Sequence, residues 1–376
     1  MFRGPLQWLA LCSMASIVNS LSLSRRSLFY KAAEGGAAVV VAGAMVFDPF
    51  ATLAVVDGRA VPNSEAAAVG AVGLWIDLAG CSVCRHDVPA ACSGTLVARD
   101  LVLSARHCLD IPRELNGTLD KVVFSNNLLD PNAPSAKVAA VRTPADYGFT
   151  ATDSGSVGGL DGTDLMLIKL ATPAPAEWRP QRMAFGLEDA ILGLSSSKAG
   201  SNAGSGGDKA VGLTELIGNP SLMVYGFGDS VDDFASYSSG LLHRLPLVAS
   251  SEVGPAKTNF FAKPVVSNAA AAAAAQPPAQ SQRLPGTCNG DSGSAALLGT
   301  GTGGADPAAG PASGGGASVV VGVVSATSVP CAGSTTVLVN PGSLRAFLTK
   351  ASADLGSPLP VASEADWKRF LNGGAL

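Results

Sequence analysis

The chain has 376 residues, of which 14% are charged, and its net charge of −4 leaves no basic footprint for nucleic acid. Hydrophobic residues make up 47%, which excludes a wholly disordered chain. The 44 glycines and 24 prolines exclude a plain helical bundle and predict many turns with low-complexity insertions.

Residues 1–54 read as an address rather than as fold. An apolar run at 6–18 follows Arg3 and has the length of a signal h-region. Ser24-Arg25-Arg26-Ser27-Leu28-Phe29 resembles a twin-arginine export signal. A second apolar run at 37–47 is too short for a bilayer, which needs about 20 residues. Ala51-Thr52-Leu53-Ala54 offers small residues for a signal-peptidase cut. Signals in tandem predict export, to an extracellular, periplasmic or organelle-lumen site such as the thylakoid. The mature protein is expected to be a monomer with no stable membrane insertion. Of the seven cysteines, Cys12 leaves with the leader. Cys81, Cys84, Cys92, Cys108, Cys288 and Cys331 remain, an even set suited to an oxidising compartment.

From residue 55 onward, short apolar runs alternate with turn residues, at 73–78, 101–103, 121–124, 165–170, 222–225 and 318–324. Most are β-branched or aromatic and too short for helices, so they predict strands of barrels or sandwiches. The tracts 195–207, 269–275 with its Pro-rich sequel, and 299–316 lack side chains to offset chain entropy and are expected to be surface loops. The period changes near the end. Ser343 is placed to cap a helix carrying Leu344, Phe347 and Leu348. Ser363-Glu364-Ala365-Asp366 opens a second helix with Trp367, Phe370 and Leu371 on one face. The chain thus divides into a targeting segment at 1–54, a β-rich domain at 55–355 and a tail at 356–376 with a short amphipathic helix.

Three motifs carry chemistry. Cys92-Ser93-Gly94-Thr95-Leu96 leads to Val102-Leu103-Ser104-Ala105-Arg106-His107-Cys108; Asp164-Leu165-Met166-Leu167-Ile168-Lys169-Leu170 follows; then comes Gly286-Thr287-Cys288-Asn289-Gly290-Asp291-Ser292-Gly293-Ser294. In that order they make the chain resemble a trypsin-like (chymotrypsin-family) serine protease. An α/β-hydrolase is excluded, because no histidine follows Ser292. The resemblance implies an all-β fold of two antiparallel six-stranded barrels with a C-terminal helix. It implies a serine endopeptidase acting on polypeptides, with no metal and no organic cofactor. A serine hydroxyl is a weak nucleophile and needs a base within reach; an imidazole can accept and return a proton near neutral pH; a buried carboxylate fixes its tautomer. Those roles fall on Ser292, His107 and Asp164. His86 and His243 are expected to be surface or loop residues. Asp146, Asp153 and Asp161 are rivals of Asp164, which alone directly precedes an apolar strand.

The resemblance further implies an oxyanion hole from the Gly290 and Ser292 N–H groups. It implies an activation pair in which a new Val55 ammonium, freed by cleavage after Ala54, buries against Asp291. Val55-Val56-Asp57-Gly58 fits that start, with Asp57 a departure. Cys92–Cys108 would pin the histidine loop for roughly 3 kcal/mol, and Cys288–Cys331 would join the nucleophile loop to the pocket wall. Cys81 and Cys84 read as a small loop disulfide, ahead of a redox pair or half a metal site with His86. The pocket would be built by Gly286, Ser325 and Thr327. With Gly286 rather than an acid on the floor, a buried ammonium or guanidinium has no partner, so small or medium uncharged residues are expected before the scissile bond. Ser294 stands where many relatives have glycine. The competing readings are a catalytically silent binding or regulatory relative, and an esterase using the same triad.

Overall fold

The structure is a computed structural model and describes residues 58–77, 90–114, 117–149, 162–187, 221–229, 240–253, 258–265, 284–299, 318–328 and 331–371. The targeting segment, Val55, Cys81, Cys84, His86, Asp153, Asp161 and the tracts 195–207, 269–275 and 300–316 lie outside the described residues. All described residues fall within one compact unit, 52–376.

Fourteen strands are described. In chain order they are β1 (Arg59–Ala60), β2 (Ala71–Asp77), β3 (Ala90–Ala98), β4 (Leu101–Ser104), β5 (Thr118–Val123), β6 (Ser135–Arg142) and β7 (Met166–Leu170), then β8 (Arg182–Met183), β9 (Ser221–Gly226), β10 (His243–Val253), β11 (Asn259–Pro264), β12 (Ala295–Gly299), β13 (Ser318–Thr327) and β14 (Thr336–Val339). The antiparallel ring β2-β3-β4-β7-β6-β5 closes the first barrel. The antiparallel ring β9-β10-β11-β14-β13-β12 closes the second, with β9 returning to β10. Closure leaves neither ring a free edge. β1 adds antiparallel to β10, and β8 adds parallel to β13.

The alternating strands fill each barrel with branched side chains. Val72, Leu74, Leu96, Leu103 and Leu167 are fully buried in the first, and Leu222, Leu245, Phe260, Val319 and Leu338 in the second. One apolar cluster runs from the first barrel into Tyr225, Phe227, Leu297 and Val323 of the second, so the seam between barrels is packed rather than wet. Among the described residues no helix is long and apolar enough to cross a membrane.

The C-terminus packs on this body. A 3-10 turn, Pro341–Leu344, leads into the helix Arg345–Asp354, which buries Phe347, Leu348 and Ala351. Ser343 is not the cap expected for it. Asn340 Oδ1 accepts from Gly342 N at 2.8 Å, while Ser343 lies inside the turn and donates back to Asn340 O at 2.7 Å. The asparagine reaches the free amide first because the turn precedes the α-helix. The helix Glu364–Leu371 is capped as the sequence predicts. Ser363 Oγ accepts from Asp366 N, and Asp366 Oδ2 accepts from Ser363 N and Oγ. Trp367 of that helix is buried against the second barrel.

Two more sequence readings are corrected. His243 is not a surface or loop residue: it is fully buried on β10, opposite Gly226 of β9 and Ala60 of β1. Burial holds its imidazole below the usual histidine range, partly opposed by Leu241 O. Two short helices, Asn63–Ala68 and His107–Glu114, also have no counterpart in the strand pattern.

Candidate active site

His107 opens the helix that follows β4, whose four residues are all buried. A disulfide from Cys108 to Cys92 of β3 fixes that corner to the barrel wall. Asp164 lies two residues before β7, fully buried. Its Oδ1 accepts the His107 backbone N–H at 2.8 Å, and its Oδ2 accepts from His107 Nδ1 at 2.7 Å. Two bonds to one residue fix both the backbone and the ring. Nδ1 is thereby the protonated nitrogen, and Nε2 carries the free lone pair.

The second barrel reaches into this pair. Ser325 of β13 donates its hydroxyl to Asp164 Oδ2 at 2.5 Å. Burial alone pushes the Asp164 carboxyl up, but hydrogen bonds from His107 and Ser325 and the nearby imidazole charge hold it below the ordinary carboxylate range. The rival Asp146 is used locally. Its Oδ2 accepts from Thr143 N and Thr143 Oγ1, capping the 3-10 turn Pro144–Tyr147.

Ser292 sits on the turn after Cys288, which is itself disulfide-bonded to Cys331. Ser292 O accepts from Ser93 N at 2.8 Å and lies 3.8 Å from Cys108 Sγ, so the turn abuts the residue next to His107. Gly293 has φ +87°, and a Cβ there would meet Ser104 Oγ and Ser93 O well inside contact distance. Glycine is therefore what lets this turn close on the first barrel. Among the described residues His107 Nε2 makes no hydrogen bond, to Ser292 Oγ or elsewhere; such bonds are often long without substrate.

The backbone of the turn can be accounted for bond by bond. Asn289 O accepts from Asp229 N at 2.7 Å, Gly290 O from Ser93 Oγ at 2.7 Å, and Asp291 O from Ser294 N at 3.0 Å. A trans peptide points its N–H opposite its C=O. Pinning the carbonyls of Asn289 and Asp291 thus aims the N–H groups of Gly290 and Ser292 the other way. Neither N–H has a protein acceptor among the described residues. Gly290 adopts φ +94°, a backbone region that favours glycine.

Asp291 is fully buried beneath this turn. Its carboxylate accepts from Gly228 N and Cys288 N, both at 2.8 Å. Gly226 and Gly228 leave it room, since a Cβ on either would overlap its oxygens. Burial pushes its carboxyl up to about 7; the two amides lower it in part and Asp229 adds to the rise. No cation pairs with it among the described residues, and Val55 lies outside them.

Beside the turn, three threonines are linked through their hydroxyls. Thr287 Oγ1 lies 2.8 Å from Thr336 Oγ1 and 3.1 Å from Thr327 Oγ1, and Thr327 Oγ1 also donates to Thr287 O at 3.1 Å. Thr287 and Thr336 are fully buried. Gly286 lies against Cys331 O, where a Cβ would overlap the carbonyl. Sequence reading named Gly286 and Thr327 but missed Thr287 and Thr336; the first stood in plain view inside the nucleophile motif. It also missed Ser93, quoted in the first motif with no role. For metals, the one candidate grouping among the described residues is Cys92, His107 and Cys108, whose sulfurs are joined as a disulfide and offer no thiolate.

The trypsin family profile matches residues 81–211, a span that holds His107 and Asp164 and ends before Ser292. No curated protein matches the chain. Among solved structures it is similar to neuropsin, a serine protease expressed in the limbic system of mouse brain, at 15% identity and a TM-score of 0.46, over 79% of this chain and 99% of that one. The chain is thus similar to the trypsin family over residues 81–211, within a described fold of two six-stranded antiparallel barrels.

Proposed function

We propose that this chain is a serine endopeptidase acting on polypeptides, with Ser292 its nucleophile, His107 its general base and acid, and Asp164 the group that orients His107. The observation that carries the reading is the doubly bonded His107–Asp164 pair beside a turn in which the N–H groups of Gly290 and Ser292 have no acceptor among the described residues. Ser292 Oγ attacks the scissile carbonyl as His107 Nε2 takes its proton. The carbonyl oxygen, now negative, receives the Gly290 and Ser292 N–H groups. Collapse expels the amine, which takes the proton back from His107, and leaves an acyl-serine. Water, deprotonated by the same nitrogen, releases the acid. Asp164, held ionised, stabilises the imidazolium at each stage.

The substrate residue before the scissile bond is small or medium and uncharged, such as Ala, Val or Leu. Gly286 supplies no carboxylate, and the Thr327 side chain is held beside it by its bonds to Thr287. A peptide-library profile is expected to favour these residues; one dominated by Arg or Lys would refute the pocket.

The domain at 55–355 is exported by the segment at 1–54, and cleavage after Ala54 frees the amine that neutralises Asp291. The raised Asp291 carboxyl, and the buried Ser294 hydroxyl beside it with no hydrogen-bond partner among the described residues, support this reading. N-terminal sequencing of the mature protein tests this, and a start well away from Val55 contradicts it.

A further inference from the structure

We propose that the Ser93 side chain is a positioning residue for the oxyanion turn, an inference that rests on the reading of Ser292 above. Ser93 is fully buried on β3, in the first barrel, yet its N–H and its hydroxyl both bond to the turn or its surroundings in the second. Its N–H donates to Ser292 O at 2.8 Å. Its hydroxyl donates to Gly290 O at 2.7 Å and accepts from Phe227 N at 3.0 Å. Its own carbonyl accepts from Ser104 Oγ at 2.7 Å, a bond within the first barrel. The hydroxyl has one proton and lone pairs to accept, and both capacities are used.

The other carbonyls of the turn are held by backbone amides: Cys288 O by Asp291 N, Asn289 O by Asp229 N, Asp291 O by Ser294 N. Gly290 O alone depends on a side chain. This matters because Gly290, like Gly293, has wider conformational freedom than the other residues of the turn. A free Gly290 carbonyl could rotate toward the space where substrate oxygen develops charge, and it would repel that charge. The Ser93 hydroxyl holds that carbonyl on the first barrel and so fixes the peptide that follows the Gly290 α-carbon, while Asp229 N, on the Asn289 carbonyl, fixes the one that precedes it and carries the Gly290 N–H. The same hydroxyl anchors Phe227 N, next to the Gly228 amide that binds Asp291. One side chain thus links the first barrel to both walls of the turn.

The test uses the mature full chain and the variants Ser93→Ala and Ser104→Ala. A chromogenic tetrapeptide ending in alanine gives kcat and KM, and the matching peptide boronic acid, which forms a tetrahedral adduct on serine, gives Ki. Deleting an oxyanion donor outright costs about 10²–10³ in rate. Loosening one is expected to cost Ser93→Ala about 10- to 100-fold in kcat, to raise the boronate Ki by a similar factor, and to change KM by less than about twofold. Ser104→Ala loses a comparable buried hydroxyl that does not touch Gly290, and is expected to stay within about threefold in every constant. Should Ser93→Ala not fold, Ser93→Gly removes the same hydroxyl and is expected to show the same split. A folded Ser93 variant with unchanged kcat and Ki overturns the inference, as does an equal loss in Ser104→Ala. Uptake of fluorophosphonate by the parent separates the two readings. A parent that labels while Ser93→Ala keeps its rate defeats this inference alone; a parent that does not label defeats the assignment of Ser292 as well.

Discussion

Asp164 and Asp291 are both fully buried carboxylates at the seam of the two barrels, and burial penalises the charge of each. They end on opposite sides of the ordinary range. Asp164 collects the His107 backbone and ring, plus the Ser325 hydroxyl, and is held low. Asp291 collects two backbone amides and a neighbouring Asp229, and rises to about 7. Burial does not decide the charge state; the partners do. Asp164 has its imidazole partner in the described structure, whereas no cation faces Asp291 among the described residues. Under the proposed function, that difference separates a permanent orienting group from one that a newly made N-terminus would switch.

Four experiments press on this contrast. Ser292→Ala sets the floor, with turnover of a peptide substrate expected to fall by about 10⁶; peptidase activity that survives intact belongs to another site. Asp164→Asn should follow at about 10⁴ in kcat, because an amide keeps the shape but favours the wrong imidazole tautomer. Equal rates for the variant and the parent would mean that the pair does not set the tautomer.

Asp291→Asn should cost the mature enzyme roughly 10²–10⁴, the equivalent of about 3–5 kcal/mol for a buried pair broken on one side. In chain without a free Val55 amine the sign reverses for stability. There the folded pKa of about 7 lies above the ordinary 3.8, so the folded state holds a proton that the unfolded state has lost. Stability then falls as pH rises from about 4 to about 7 and stays lower above that. Asp291→Asn should remove that slope in the unprocessed chain, as chemical denaturation at pH 4.5 and pH 8 would show. A slope unchanged by the substitution would remove Asp291 as its source.

Ser325→Ala is the mildest, expected at a few-fold to about tenfold in kcat, since Asp164 keeps both bonds to His107. Its second readout is stability on acidification. A carboxyl held low contributes stability that is present above the ordinary carboxylate range and is lost as pH falls through its folded pKa. Losing the Ser325 bond raises that folded pKa, so the loss should begin at higher pH in the variant. Identical acid profiles would show that Ser325 adds nothing to the ionised form.

The legible parts of the molecule are those in which local pattern and final environment agree. The runs at 101–103, 165–170 and 222–225 became β4, β7 and β9 because their branched side chains fill a barrel on both faces of a short strand. The three motifs were legible because each places its reactive residue beside an element the barrel requires. β10 escaped because Pro246, Ser250 and Ser251 break its apolar rhythm, and burial of His243 was hidden because only the cross-strand neighbours Gly226 and Ala60 reveal it. The helix at His107–Glu114 was hidden by its proline and its polar residues. Thr336 and Ser93 were missed for a different reason: each acts on a residue far away in sequence, Thr287 and Gly290, through one hydroxyl. No periodicity records such a contact. The cap at Asn340 was missed because the 3-10 turn before the helix moved the first free amide forward.

The central claim is that one serine, and this one, is made nucleophilic by the fold. Labelling the mature protein with a fluorophosphonate, followed by peptide mapping, tests it most directly. The account predicts a single adduct on Ser292 that disappears in His107→Ala. An adduct on another serine, or folded mature protein that takes up none, would contradict it.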